Sequence, residues 1–513
     1  MAAYTNCGSA NDTGLDTSWS SRETKEKKIM PAITFTKFQS GIDLRKSDQV
    51  VDANGLRECN NAYITGGYGI QKRPGLDKIS GSSLGTDTSG LFYFNNKLYT
   101  VSHQAGSAPT LSGYGIPPIS ATVERLVLAN PNDGSDPISR VWQFMPFNRK
   151  LYVVVEYDSA DIQHFYDGTA ITDVNCPQTK SACVHDSKIY AIDSNAAGRG
   201  YIKYSATGDP TDWSKIRDAS GTLGIPAGQE TPDEDLIAVF SFRDQLVVFM
   251  ENSLQLWKTD PDPNLIELDT IVENSNLNYQ LSLGNTGTDV FYLNDVTFES
   301  LSQKLYTDTL QSVDTGSAIK DLVSSQISSY AASNEPVALY YSGLNQYVCA
   351  IEKQLYVYAF SQTAELAAWT RWSLPEAVQD MATYRNYLFL RCNNHIFSFN
   401  PSSYQDTDSS AATSSITVSI ESSFQTLKKS GLWKQIFGAD VLVEGAADIQ
   451  YKYDSRTPTT FTNTQAISGD SRPGLLLPVE LMTTELGFKV TQTANTNLLF
   501  SGITFYFNEL GIF

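Results

Sequence analysis

The side chains that could do chemistry are present, but their spacing argues against each reaction in turn. Gly81-Ser82-Ser83-Leu84-Gly85 matches the G-x-S-x-G pattern of a nucleophilic serine. That chemistry needs an apolar strand running into the serine and a helix leaving it, so that the hydroxyl stands on a strained elbow. Here Leu76-Asp77-Lys78-Ile79-Ser80 precedes and Thr86-Asp87-Thr88-Ser89-Gly90 follows, which reads as a loop. His164, Cys176, Cys183 and His185 offer two thiols and two imidazoles, but six residues separate the cysteines. Zinc sites are usually anchored by a closer cysteine pair. Asn132-Asp133-Gly134-Ser135-Asp136 and Asp193-Ser194-Asn195 resemble pieces of calcium loops without the closing glutamate. Turns in which an Asx side chain bonds its own backbone account for both. No catalytic, cofactor-binding or metal-binding residue follows, and no cofactor is expected.

The order in this chain lies in the elements around those residues. One pattern recurs: an aromatic or polar residue, a short Asn/Asp/Arg turn, then an apolar strand. It runs Phe94-Asn95-Asn96-Lys97-Leu98-Tyr99-Thr100-Val101, Phe147-Asn148-Arg149-Lys150-Leu151-Tyr152-Val153-Val154 and His185-Asp186-Ser187-Lys188-Ile189-Tyr190-Ala191-Ile192. It returns at Phe242-Arg243-Asp244-Gln245-Leu246-Val247, at Tyr384-Arg385-Asn386-Tyr387-Leu388-Phe389 and, divergently, at Leu344-Asn345-Gln346-Tyr347-Val348. Asn and Asp tolerate the positive φ of tight hairpin turns, so each copy predicts two strands joined by such a turn. A strand pair starting at Val290 fills the long gap between copies. Units of about 40–55 residues with four strands each have the spacing of propeller blades. The prediction is an all-β chain with six or seven irregular blades over residues 86–405; unrelated hairpins in a sandwich are the alternative. A single helix is expected from Ser317 to Ala332, where Ile319, Leu322, Val323 and Ile327 share a face. Residues 401–415 read as a Ser/Thr-rich linker, and residues 406–513 alternate as strands of a β-sandwich or barrel.

The chain has 513 residues, 37 Lys+Arg, 56 Asp+Glu and a net charge of −19. Without basic clusters it lacks the counterion-releasing contacts of a tight DNA binder, though DNA could still slide past it. No apolar run is long enough for a membrane span, and none is expected to insert stably. Residues 1–30 form a polar extension without the apolar core of a signal peptide, and the six cysteines suggest free thiols of a reducing cytosol.

Near the start, Asn61-Ala62-Tyr63 is followed by Gly69-Ile70-Gln71-Lys72-Arg73-Pro74-Gly75. This matches an N-x-Y/W…G-(I/L)-x-K-R-P-(G/P) signature and resembles the tail hub or nozzle proteins of short-tailed bacteriophages. Ile237 to Trp257, the helix Ala318 to Tyr330, and Trp369 with Trp372 fall in the order of that family, over residues 31–513. The resemblance implies a propeller with a C-terminal platform domain, a segment 31–85 packed on that platform, and assembly as a hexameric ring. Such a ring sits below an adaptor at the head-to-tail connector, docks fibres or spikes, is closed by a plug or needle, and passes DNA without binding it specifically. It implies a virion tail protein assembled in the host cytoplasm, with no enzymatic activity, in which Lys72, Arg73, Pro74 and Gly75 are architectural. The alternative is a propeller glycoside hydrolase or glycan-binding protein acting on host surface polysaccharide. No Asp-box turn (S-x-D-x-G-x-x-W) supports the hydrolase, and two converging carboxylates are not visible in a sequence.

Residues 230–300 carry fourteen acidic side chains against two basic ones, Arg243 and Lys258. Asp233, Glu234, Asp235, Asp260, Asp262, Glu267, Asp269 and Glu273 are the candidates for an acidic channel lining, where like charge keeps DNA from sticking.

Overall fold

The computed structural model describes residues 31–511 apart from 81–83, 86, 104–106, 116–121, 174–176, 195–199, 214–223, 232–233, 302–314, 331–333, 362, 428, 472–473 and 475. Over these residues the chain is a seven-bladed β-propeller joined to a β-sandwich.

Each recurring turn joins the inner strand of a blade to the next strand outward. Asn95-Asn96, Asn148-Arg149 and Asp186-Ser187 have positive φ at both positions. They close two-residue loops between the pairs Phe94↔Lys97, Phe147↔Lys150 and His185↔Lys188. The strand after each turn is buried on both faces, which is why it reads as a continuous apolar run. Leu151, Val153 and Val155 face blade 1, while Tyr152 and Val154 face blade 3. In blade 4, Leu246 and Val248 pack back on blade 3, and Val247 and Phe249 pack forward on blade 5.

Blades 1, 2 and 4 are four-stranded meanders over residues 87–127, 138–173 and 236–273. Among the described residues blades 3 and 5 have three strands each, over 182–204 and 284–300, and blade 3 gains an Ile202–Ile225 bridge. Blade 6 spans residues 337–373. Blade 7 combines three strands of residues 380–400 with Gly75–Lys78 as its outer strand. The ring closes through Leu91, Leu98 and Tyr114 of blade 1 against Ala382, Phe389 and Ile396 of blade 7.

Segment 31–85 is therefore divided. Its strands through Ile70–Lys72 lie in the sandwich sheets, and Gly75–Lys78 completes the propeller. The outer strand of blade 6, Leu366–Ser373, continues by parallel pairing into Gly41–Ile42 and Gly55–Asn60, so one ten-stranded sheet runs from propeller into sandwich. Gly41 has φ +58, and a Cβ there would lie 2.6 Å from the Trp369 carbonyl oxygen. The second sandwich sheet is built on Trp433–Glu444 and Leu499–Gly511, and Phe35, Phe38, Phe488, Phe500 and Phe505 fill the space between the sheets.

The helix is shorter than its periodicity suggests. A 3₁₀ turn, Ser317–Ile319, leads into Lys320–Ile327, and Ile319 and Val323 enter the core. Ser328 and Ser329 then bond back to the Ser325 and Gln326 carbonyls at 2.8 and 3.0 Å, competing with further helical bonds. The stretch read as a linker contains a hairpin, Gln405–Thr407 paired with Thr413–Ser415, whose loop Asp408 ties by accepting from the Ser410 and Ala412 N–H groups.

Candidate functional site

The signature residues meet at the junction of sandwich, blade 6 and blade 7. Asn61 sits at φ +56 between two sandwich strands. Its Oδ1 accepts from Arg73 Nε at 3.0 Å and the Ser373 N–H at 2.8 Å, and its Nδ2 donates to Thr417 O. Arg73 is fully buried and forks onto Asp406, with Nη1 and Nη2 donating to the two carboxylate oxygens at 2.7 and 2.5 Å. Its Nη2 also donates to Ser373 O at 2.8 Å, and its Nη1 to Pro74 O at 3.2 Å. Asp406 further accepts the Leu76 N–H. Lys72, also buried, donates to Gln492 Oε1 at 3.0 Å and Ala494 O at 2.6 Å. Burial, reinforced by the neighbouring Arg73 charge, lowers its pKa to about 8.

Tyr63 packs at a tilt beside Trp372, their ring centroids 6.2 Å apart, donates to Gln71 Oε1, and is pushed up to about 12 by burial. Gly69 lies against Leu499, and its carbonyl accepts from the Thr65 N–H. At Gly75 a Cβ would stand 2.2 Å from the Gln405 carbonyl oxygen, so the hairpin can approach only a glycine. Pro74 turns the chain from the sandwich strand into the blade strand, where no N–H is needed.

The acidic candidates are spread around blade 4. Glu267, Asp269 and Glu273 lie on its outer strand, Glu267–Glu273. Lys258 pairs with Glu267 at 3.6 Å and with Asp269, whose carboxyl it holds below the usual range. Asp260 and Asp262 order the preceding loop, with Asp262 capping the 3₁₀ turn Pro263–Leu265. Glu234 and Asp235 stand at the opposite end of the blade, and Glu234 accepts from Ser253 Oγ at 2.8 Å. Asp233 lies outside the described residues. None of the described members is on the propeller's inner strands.

The two histidines and two cysteines weighed against zinc in the sequence have other surroundings. His164 bonds the Tyr157 hydroxyl, and His185 Nδ1 bonds Ser241 Oγ. Cys176 is outside the described residues, and among those described no three His, Cys, Asp or Glu residues gather as a metal site. Of the Gly81–Gly85 motif only Leu84 and Gly85 are described, and the strand Asp87–Phe94 follows them rather than a helix.

Sequence reasoning missed a groove across one face of the propeller. It comprises three adjoining cavities of about 680, 450 and 470 Å³. Trp142 and Glu335 are shared by the first two, and Ile237, Asn278 and Tyr279 by the second and third. All seven blades contribute, mostly through residues at or just before the start of an inner strand. Counting back from each Asn/Asp turn along its inner strand would have found many of them. Three cations line the groove, each tied to a carboxylate: Arg140 to Glu335 at 2.9 Å, Lys180 to Glu156 at 2.6 Å, and Arg391 to Asp380. Arg140 and Lys180 lie 4.8 and 5.6 Å from the Trp142 ring centre, and Trp142 Nε1 donates to Glu156. Burial raises the Glu335 carboxyl's pKa despite Arg140.

No family model matches the chain, and no curated protein matches it in sequence. Among solved structures it is similar to the Pan2 WD40 domain of Neurospora crassa, at 7% identity and TM-score 0.40 over 64% of this chain and 94% of that one. It is also similar to BamB of Moraxella catarrhalis, at 10% identity and TM-score 0.33 over 64% and 90%. Likeness this weak bears on no function, and the fold rests on the seven sheets and their closure.

Proposed function

We propose that the chain is a structural virion protein of a short-tailed phage, assembled as a hexameric nozzle through which DNA leaves. The observation carrying this reading is the junction built by its signature residues. Arg73 joins the strand after Asn61, the end of blade 6 and the hairpin at Asp406 in one buried node. Together with the ten-stranded sheet, that node makes propeller and platform a single body suited to a load-bearing ring.

In this reading the acidic edge of blade 4 faces the lumen, since Glu267, Asp269 and Glu273 lie on an outer strand rather than toward the propeller axis. Like charge there would repel DNA and keep it moving. The ring docks on the adaptor above and carries fibres or spikes outside. Negative-stain imaging and native mass measurement of the chain, alone and with its adaptor, test this. A sixfold ring supports it, and a chain that stays monomeric with the adaptor present overturns it.

A further inference from the structure

We propose that the groove across the propeller face binds a neutral oligosaccharide, a role beyond the ring assembly and present in each single chain. Three adjoining cavities make a trough with room for an extended ligand rather than one small molecule.

Its charge selects against anions. The cations Arg140, Lys180 and Arg391 are each already matched by a carboxylate. Asp87, Glu251 and Asp295 add negative charge with no ion pair among the described residues. A nucleic acid, a phosphate or an acidic polysaccharide would meet net repulsion.

The remaining polar lining is dominated by carboxamides at both ends. Asn252, Asn276 and Asn278 lie at one end; at the other, Asn334 and Gln379 bond each other, Glu352 and Arg391, and Asn394 accepts from Thr88, which fixes their orientation. Carboxamides both donate and accept, as sugar hydroxyls require. A basic peptide would instead need acceptors throughout, and it would run past three fixed cations, Arg391 toward one end and Arg140 and Lys180 beside Trp142. The half-buried edge-to-face pair Tyr279 and Tyr330, with centroids 5.8 Å apart, supplies an apolar wall for the C–H face of a sugar ring.

The test is calorimetric titration of the full chain with maltohexaose, cellohexaose and chitohexaose, beside a uronic-acid hexamer and a Lys-rich octapeptide. At least one neutral hexamer should bind at least tenfold tighter than the uronic-acid hexamer and the peptide. Asn278→Ala and Tyr279→Ala should each weaken it about tenfold. Asn278 is exposed, so its replacement leaves folding intact and keeps the test meaningful if Tyr279→Ala fails to fold. The proposal falls if no neutral hexamer saturates below about 10 mM, if the peptide or the uronic-acid hexamer binds best, or if Asn278→Ala leaves the affinity unchanged.

Discussion

Replacing Arg73 with methionine strips the guanidinium from the junction and leaves the Asp406 carboxylate buried without its partner. The two side chains are 1% and 7% exposed, so water cannot take the guanidinium's place without opening the structure. Breaking a buried pair from one side costs about 3–5 kcal/mol, because an uncompensated charge remains. The Asn61 and Ser373 oxygens that Arg73 serves lose a donor as well, at roughly 1 kcal/mol each where no water replaces it. Against the ~5–15 kcal/mol that holds a typical fold together, the loss is a large fraction. Urea unfolding followed by tryptophan fluorescence reads it, since Trp372 Nε1 donates to the Ala62 carbonyl beside this node. The double variant Arg73→Met with Asp406→Leu removes both charges and should recover at least ~2 kcal/mol relative to the sum of the singles. A loss below ~1 kcal/mol for Arg73→Met, or strict additivity in the cycle, would refute the idea that this pair welds propeller to platform.

Gly75→Ala should cost about 1–3 kcal/mol in the same assay, because its Cβ meets a backbone carbonyl that cannot swing away. At Asn96, with φ +61, Asn96→Val should cost about 1–2 kcal/mol while Asn96→Gly stays near neutral, read as thermal midpoints. Lys72 loses its proton near pH 8 in the fold and near its ordinary 10.5 when unfolded. Between those values the unfolded chain binds more protons, so stability relative to Lys72→Met should rise with pH across that window; a flat difference would contradict it. Changing Glu267, Asp269 and Glu273 to their amides should slow or block DNA ejection while particles still assemble, and normal ejection kinetics would sink the lumen assignment.

The propeller was legible because one constraint repeats. A tight turn between inner and second strands demands positive φ, Asn and Asp tolerate it, and the strand that follows must be apolar on both faces. The closure of blade 7 was not legible, since Gly75–Lys78 is four residues long and finds its partner, His395–Asn400, across most of the chain. Asp406 was hidden for a similar reason: it sits in a Ser/Thr-rich stretch typical of linkers, and only the distant Arg73 gives it a buried role. The groove left no motif because its residues come in small groups from all seven blades, from strand starts of unlike sequence and from the strands beside them.

Strand position separates the two surfaces that matter most here. Residues on the outer strand of a blade, such as Glu267 and Glu273, can meet only what lies beside the propeller, whether a neighbouring chain or a ring's lumen. Residues at inner-strand starts, such as Arg140 and Asp380, converge toward the axis and can meet only what enters that face. Blade 4 supplies both, with Glu273 on the rim and Ile237 in the groove. Charge on its outer strand can therefore change without moving the groove, because the intervening strands Gln245–Met250 and Ser253–Lys258 are fixed by packing on blades 3 and 5. The rim amides should alter DNA ejection and leave hexasaccharide affinity untouched, whereas Asn278→Ala should do the reverse. If either set of changes moved both readouts together, the two surfaces would have to be one site, and the assignment of separate roles would fail.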